Sequence, residues 1–441
     1  MTERAGVAII GAGLAGCLLA CYLARRGERV TLYERRADPR LTGAERGRSI
    51  NLALSERGLD ALRRIGLDGK VLADALPMRG RMIHGFEGGL DFQPYSACGD
   101  RAINSISRGA LNNVLLDAAQ ALPGVEVRFE HRLVRLDPAT ARLWFDTPAG
   151  EVRAGAEVVL GTDGAGSAVR GDLLRHRCTT ERLDFLDYGY KELTIPAVAG
   201  EFALDPRALH IWPRGRSMMI ALPNPDRSFT CTLFWPNSGM RSFASLGSPA
   251  AIERYFGEQY PDVVPLLRDL VAEYQQNPVG LLGTVHCAPW QAHGRVGLLG
   301  DAAHAIVPFY GQGANCAFED VVVLDRCLDR AGGDWVEALP LFERGRRADT
   351  EAIAEMALAN FVEMRDKVAS PVFKLARRIE HALERALPGR YVSRYELVSF
   401  STTPYSEVRR RVRTQHRVLA AAGLAVTLGA AGAVSPLWRH R

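Results

Sequence analysis

The chain has 441 residues, 47% hydrophobic and 24% charged, which is ample material for a core and a length that suits two or three domains. Its net charge of +5 is the small difference between 55 basic and 50 acidic residues scattered among one another, so composition gives a nucleic-acid partner little support. The eight cysteines (Cys17, Cys21, Cys98, Cys178, Cys231, Cys287, Cys316, Cys327) form no CxxC pair and no regular framework, which argues against a disulfide scaffold and for a reducing compartment.

The first predicted element is an apolar strand, Val7 to Ile10. GAGLAG then sets Gly11, Gly13 and Gly16 at dinucleotide spacing, and Leu14 to Leu23 continues as an apolar helix. A second strand, Arg29 to Tyr33, ends at Glu34. This acid follows the glycines at close to the roughly 20-residue separation at which a carboxylate reaches an adenosine ribose in such units. Cys17 and Cys21 stand four apart on the first helix, where small thiols suit core packing. No apolar region of signal length precedes Val7, so a cytoplasmic start is expected.

The run VVLGTDGAGSAVR, Val158 to Arg170, repeats the pattern of strand into turn, with Asp163 and Gly164 at the turn and Ser167 and Arg170 at the next helix start. Between Cys178 and His286, short apolar runs alternate with Pro, Gly and Asn, as in an antiparallel sheet; they are Leu209 to Trp212, Ser217 to Leu222 and Phe229 to Trp235. Val296 to Leu299 reads as a buried strand ended by Gly300 and Asp301. After it Gly311, Gln312 and Gly313 let backbone approach a ligand at a helix N-terminus, and Asp301 is a candidate acceptor for a ribose hydroxyl. From Trp335 the pattern turns helical, with Ala338, Leu339, Phe342, Ile353, Met356, Ala357 and Phe361 at helical spacing.

The C-terminus admits two readings. RRRVRTQHR leads into Val418 to Trp438, which carries no charge and is long enough to span a bilayer, yet it is rich in Ala and Gly and ends in Ser435 and Pro436. The run suits either membrane attachment or a helix packed on the rest of the protein.

Three separated segments, GAGLAG, GTDGAGSAVR and LLGDAAHAIVPFYGQGANCAFED, together resemble the flavoprotein hydroxylases of the 4-hydroxybenzoate hydroxylase fold, with Thr162 where that family usually has Ala. The closer resemblance is to the kynurenine 3-monooxygenase family and extends to about Ser406. It rests on GRSINLALSERG (47–58), MRGRMIH (78–84), GYKEL (189–193), LHIWPRG (209–215), IALPNPDRSFTCTLF (220–234) and NFVEMRDKVASP (360–371).

The resemblance implies an α/β fold in which a discontinuous Rossmann-like FAD-binding domain (1–75, 101–177 and 285–334) accommodates an inserted antiparallel-sheet substrate domain (76–100 and 178–284). A C-terminal helical region (335–441) follows, with a candidate membrane tail at 418–438. It implies FAD as bound cofactor, held by Gly11, Gly13, Gly16, Glu34, Arg35, Arg108, Asp163, Asp301, Gly311, Gln312, Gly313 and Asn315. NADPH and O2 would be co-substrates, and L-kynurenine would be hydroxylated to 3-hydroxykynurenine through a flavin hydroperoxide, in tryptophan degradation or NAD biosynthesis.

Residue by residue, Arg81 matches the family arginine that pairs with the substrate carboxylate, Tyr95 and Tyr395 its tyrosines and Asn360 its amide. Phe234, Phe309, Tyr310 and Met364 are candidate apolar walls. Tyr310 and Ala314 depart from the His and Met found in some relatives. His304 belongs to the flavin motif and is given no catalytic role, and no metal site is expected. The competing readings are a sister hydroxylase for another aromatic acid and a non-hydroxylating flavin reductase; a flavin halogenase would need a WxWxI motif, which the six Trp residues do not form.

Overall fold

The computed structural model describes residues 5–42, 51–96, 98–368 and 370–434. The first four residues of the GRSINLALSERG string and the last four of the uncharged C-terminal run lie outside the described residues.

Apolar strands with few side-chain polar groups need cover on both faces, and the first sheet has it. Its order is Gln291–Ala292, Val296–Leu298, Gly150–Gly161, Ala5–Ile10, Val30–Tyr33, Val125–Arg128. The last five of these run parallel, while Arg142–Thr147 and Arg132–Asp137 extend Gly150–Gly161 in antiparallel fashion. Helices Leu14–Arg25, Arg108–Gln120 and Gly313–Arg330 pack against one another or the sheet, and Cys17 and Cys21 are buried there as free thiols. Register matters more than composition here. Ile10 lies opposite Gly161, and Gly161 opposite Leu298, so the loops leaving all three strands emerge side by side.

A second, seven-stranded sheet has the order Gly280–Ala288, Thr180–Ile195, Phe229–Pro236, Ser217–Pro223, Ala208–Arg214, Gly80–His84, Leu90–Pro94. It is antiparallel except where Ala208–Arg214 meets Gly80–His84, which arrives from far upstream in the chain and pairs in parallel. Side chains alternate with period two. Ile83, Ile211, Met218 and Phe234 join a core with Phe309, Tyr310, Phe361 and Met364, whereas Trp212, Met219, Leu233 and Trp235 join another with Ile252, Phe256 and Tyr260. A small sheet of Asn51–Leu54, Ile103–Ser107 and Leu76–Met78 completes the strands named here.

Helix Trp335–Val362 buries every apolar position expected of it, from Ala338 to Phe361, and runs into a π-helical turn, Glu363–Lys367. Helices Pro371–Ala386, Arg394–Ser399 and Tyr405–Val434 follow. Among the described residues, no helix is long and apolar enough to cross a membrane.

One buried network ties these parts. Asp320 accepts from Gly300 N at 2.9 Å and contacts His304 Nε2 at 2.5 Å with one oxygen, and accepts from Arg346 Nε at 2.7 Å with the other. Arg346 Nη1 also donates to Glu319 at 2.7 Å, and the second Glu319 oxygen accepts from Arg57 Nη1 at 2.5 Å. Arg57 lies 3.8 Å over the Tyr405 ring and donates to the Thr403 carbonyl. Burial alone would raise the Asp320 carboxyl, but His304 and Arg346 outweigh it and hold the group below its ordinary value. His304, Cys316 and Asp320 would also satisfy a metal in spacing, yet Arg346 donates to both Cys316 Sγ and Asp320, so a guanidinium already neutralises the cluster.

Arg346→Met should therefore remove the guanidinium that Asp320 and Glu319 share and destabilise the fold by about 3–5 kcal/mol, read from the urea midpoint. An unchanged midpoint would show that the network is not a structural hinge point. Because the Asp320 carboxyl is depressed in the folded state, its contribution is complete above the unfolded pKa of about 4 and fades as pH falls below it.

Candidate functional site

The three loops at the parallel strand ends form a glycine-lined cradle. Gly11 holds φ +101°, and a Cβ there would come within 2.8 Å of the Thr162 carbonyl. At Gly16 a Cβ would collide with the Gly11 carbonyl and approach Thr162 Oγ1 to 2.7 Å, whereas a Cβ on Gly13, the N-cap of Leu14–Arg25, meets nothing within 4 Å. Two of the glycines thus serve close packing, and the third leaves open space before a helix N-terminus with no acid in its first turn.

Glu34 is buried, accepting from Ala12 N at 3.1 Å and from Arg36 Nε at 2.9 Å, so its carboxylate fastens the glycine loop. Arg35 and Arg108 are exposed, Arg108 as the first residue of helix Arg108–Gln120. Asp163 accepts from Ser167 Oγ and Ala168 N, both at 2.6 Å, and from Val169 N at 3.2 Å; burial pushes its carboxyl up. It shapes the turn in which Gly164 takes φ +83°. Asp301 is exposed beside Gly300, itself at φ +58°.

Gly311 is left-handed at φ +64°, with Ala53 Cβ 2.9 Å from where a side chain would start, and Gly313 opens helix Gly313–Arg330 with nothing near it. Gln312 is buried and accepts from the Tyr405 hydroxyl at 2.8 Å. Asn315 donates to the Ala53 and Gly311 carbonyls, both at 2.8 Å, and accepts from Ser55 N at 2.9 Å. This last residue pins the small sheet to the helix.

The substrate candidates converge beside this cradle. Phe309 stacks on Phe361 at 4.0 Å and tilts against Phe234 at 4.9 Å. Tyr395 stacks with Tyr95 at 5.0 Å and with Tyr310 at 5.9 Å, and the Arg81 guanidinium lies 4.7 Å over its ring. Tyr310 and Met364 are buried in the same core. Burial pushes the Tyr310 hydroxyl up to about 12 and also raises Tyr95 well above its ordinary value, so both remain O–H donors at neutral pH.

Two polar groups in this pocket are incompletely satisfied. Arg81 is buried; its carboxylate neighbour, Glu363, stands 4.0 Å away and gives its other oxygen to Arg394 at 2.7 Å, and Arg81 Nε has no hydrogen-bond partner. Asn360 donates to the Phe309 carbonyl at 2.6 Å and contacts Met364 Sδ at 3.1 Å, while its Oδ1 is buried without a donor. A buried cation and a buried acceptor in that condition are costly unless a ligand completes them.

Sequence reasoning passed over Glu363, Arg394 and Phe361. Glu363 and Phe361 sit inside the NFVEM string beside Asn360, but whether a neighbour shares its pocket depends on the π-helical turn, which periodicity does not reveal.

Residues 4–241 and 269–332 match the family model for the FAD binding domain. A kynurenine 3-monooxygenase of Myxococcus xanthus (strain DK1622) is 51% identical over 402 residues, covering 90% of this chain and 86% of the relative. One of Stenotrophomonas maltophilia (strain K279a) is 48% identical, covering 94% and 92%. Among solved structures, 2-methyl-3-hydroxypyridine-5-carboxylic acid oxygenase superposes with a TM-score of 0.67 at 22% identity, over 85% of this chain and 96% of the other, which speaks for the fold. By the family model it matches and by these relatives, the chain belongs to the kynurenine 3-monooxygenase family of FAD-dependent aromatic hydroxylases.

Proposed function

We propose that the protein hydroxylates L-kynurenine to 3-hydroxy-L-kynurenine with NADPH and O2. The observation that carries this reading is the pairing of Arg81 and Asn360, an unfinished cation and an unfinished acceptor at an aromatic wall. Kynurenine offers a carboxylate, N–H donors and an aniline ring to match. Arg81 binds the carboxylate, with Tyr95 and Tyr395 as hydroxyl donors beside it; Asn360 Oδ1 accepts an N–H; Phe234, Phe309, Tyr310 and Met364 hold the ring and keep water out. Bound FAD supplies the activation of O2 that no side chain offers.

In this reading Gly11, Gly16, Glu34, Asp163 and Asn315 shape the FAD cradle. Gly13, Gly311, Gln312 and Gly313 present backbone to the cofactor, and Arg35, Arg108 and Asp301 face its phosphates or ribose. Residues 1–75, 101–177 and 285–334 are its FAD-binding domain, although strand Gly280–Ala288 runs across the boundary at 285. Residues 76–100 and 178–284 supply the substrate wall, and 335–441 close it. Eight free thiols suit a cytoplasmic setting, with any membrane association left to 418–438.

The decisive measurement is to incubate FAD-loaded protein with NADPH, O2 and L-kynurenine and weigh the product. One added oxygen is expected, and NADPH oxidation stimulated only by salicylate or hydroxybenzoate would replace this reading with a sister hydroxylase.

Arg81→Ala should weaken kynurenine binding by about 1.5–3 kcal/mol while leaving bound FAD intact; an unaltered dissociation constant would remove the carboxylate role. The cradle is tested separately by flavin content and thermal melting. Gly16→Ala should lower both through steric collision. Gly13→Ala should lower flavin content with little change in apoprotein melting, since its added methyl meets ligand space rather than protein.

A further inference from the structure

We propose that the face of the seven-stranded sheet turned away from Arg81 carries a second anion site, which takes a small phosphate-bearing ligand. A cleft of about 280 Å³ lies there, where the Arg214–Ser217 turn, residues 240–246 and helix Pro249–Gln259 meet. Trp235 lines it, whereas its strand neighbour Phe234 faces the aromatic pocket, so the two cavities are separated by the sheet.

Four arginines, Arg214, Arg216, Arg241 and Arg254, line this cleft against one carboxylate, Glu258. Elsewhere on the surface some exposed arginines sit beside an acid, as Arg182 does with Asp184 and Arg207 with Asp205. Arg216, Arg241 and Arg254 are exposed and have no ion pair or hydrogen bond among the described residues. Arg214 is different: its side chain is 1% exposed, Nε donates to the Gln259 carbonyl and Nη1 to the His84 carbonyl at 2.9 Å. Its Nη2 is buried without a hydrogen bond, the nearest carboxylate oxygen, on Asp262, standing 3.9 Å away.

The hydroxyls of the cleft are already committed. Tyr255 donates to Ser217 Oγ at 2.8 Å, Ser217 Oγ lies 2.9 Å from the Tyr260 hydroxyl, and Ser245 donates to the Ser242 carbonyl at 2.7 Å. The charged donors that face the cleft are therefore guanidinium N–H groups. Such a set selects a ligand that only accepts and carries more than one negative charge, and the planar forks match phosphate oxygens. The volume lies at the low end for ligand sites, roughly 300–1,000 Å³, which favours a phosphate or diphosphate group over a whole dinucleotide. Met240, 97% exposed at the rim, leaves two sources for that phosphate, a free anion or a lipid headgroup.

The test uses full-length, FAD-loaded protein and the double variant Arg241→Glu with Arg254→Glu, whose flavin content and melting should match the parent. Inorganic pyrophosphate is titrated calorimetrically, and vesicles of phosphatidylcholine with and without phosphatidylglycerol are floated with the protein. Pyrophosphate binding that the double variant weakens at least tenfold supports the site with a free anion as source. Retention on phosphatidylglycerol vesicles that the variant loses, with no pyrophosphate binding, supports it with a headgroup as source. Absence of binding in both arms, or binding that the variant keeps, overturns it.

Discussion

The fold depends on one buried carboxylate. Asp320 sits on helix Gly313–Arg330 with no exposed surface, and its two oxygens are divided between the Gly300 turn and Arg346. Through Gly300 it sets the end of the Val296–Leu298 strand, through Arg346 it holds the helix Trp335–Val362, and through Glu319 and Arg57 it reaches Thr403 and Tyr405. An isolated charge at that depth would be untenable, so helix, turn and C-terminal segments must arrive together for the carboxylate to be tolerated. The cofactor cradle and the aromatic pocket are joined by this requirement. Tyr405, stacked under Arg57, also donates to Gln312 at the helix start that faces the cradle.

The second constraint is sheet register. Parallel pairing of Ala5–Ile10, Gly150–Gly161 and Val296–Leu298 places three glycine-rich turns, far apart in sequence, at one edge. Phe309 and Tyr310 leave that edge directly into the second core, where Phe234 and Met218 of the other sheet await them. The distance between glycine cradle and aromatic pocket is thus fixed by a short connection, Ile306 to Gly313, whose two carbonyl contacts, Phe309 to Asn360 and Gly311 to Asn315, hold it from both sides.

Much of this was legible in the chain because the features involved are local. GAGLAG, the apolar strands and the helical spacing after Trp335 each depend on neighbours within one element, and they fold where expected to within a residue or two. The roles of Glu34 and Asp163 were less legible. Both acids were marked for the cofactor, yet within the protein each is occupied with backbone: Glu34 with Ala12, Asp163 with the helix start at Ala168 and Val169. A motif reports which residue type a turn needs, and the same carboxylate can serve turn and ligand. Least legible were the long-range charges. Nothing in the spacing of Arg57, Glu319 and Arg346 announces a network, because its members come from three elements whose meeting is a product of the whole fold.

The same lack of locality explains why incompletely paired groups are more informative than motifs about ligand chemistry. Where the fold gathers buried or clustered guanidiniums without enough carboxylates, the balancing charge must come from elsewhere. Arg81 shares a carboxylate with Arg394 and its Nε has no hydrogen bond; Arg214 Nη2 has none either, with Asp262 at 3.9 Å and three exposed arginines beside it. In the first case an amide acceptor, Asn360, and stacked rings stand in the same core region. In the second the hydroxyls are spent and four guanidiniums face one carboxylate, which favours an anion. The two faces of one sheet therefore present different chemistry because alternate residues of the same strands, Phe234 and Trp235 or Met218 and Ser217, are committed to opposite sides.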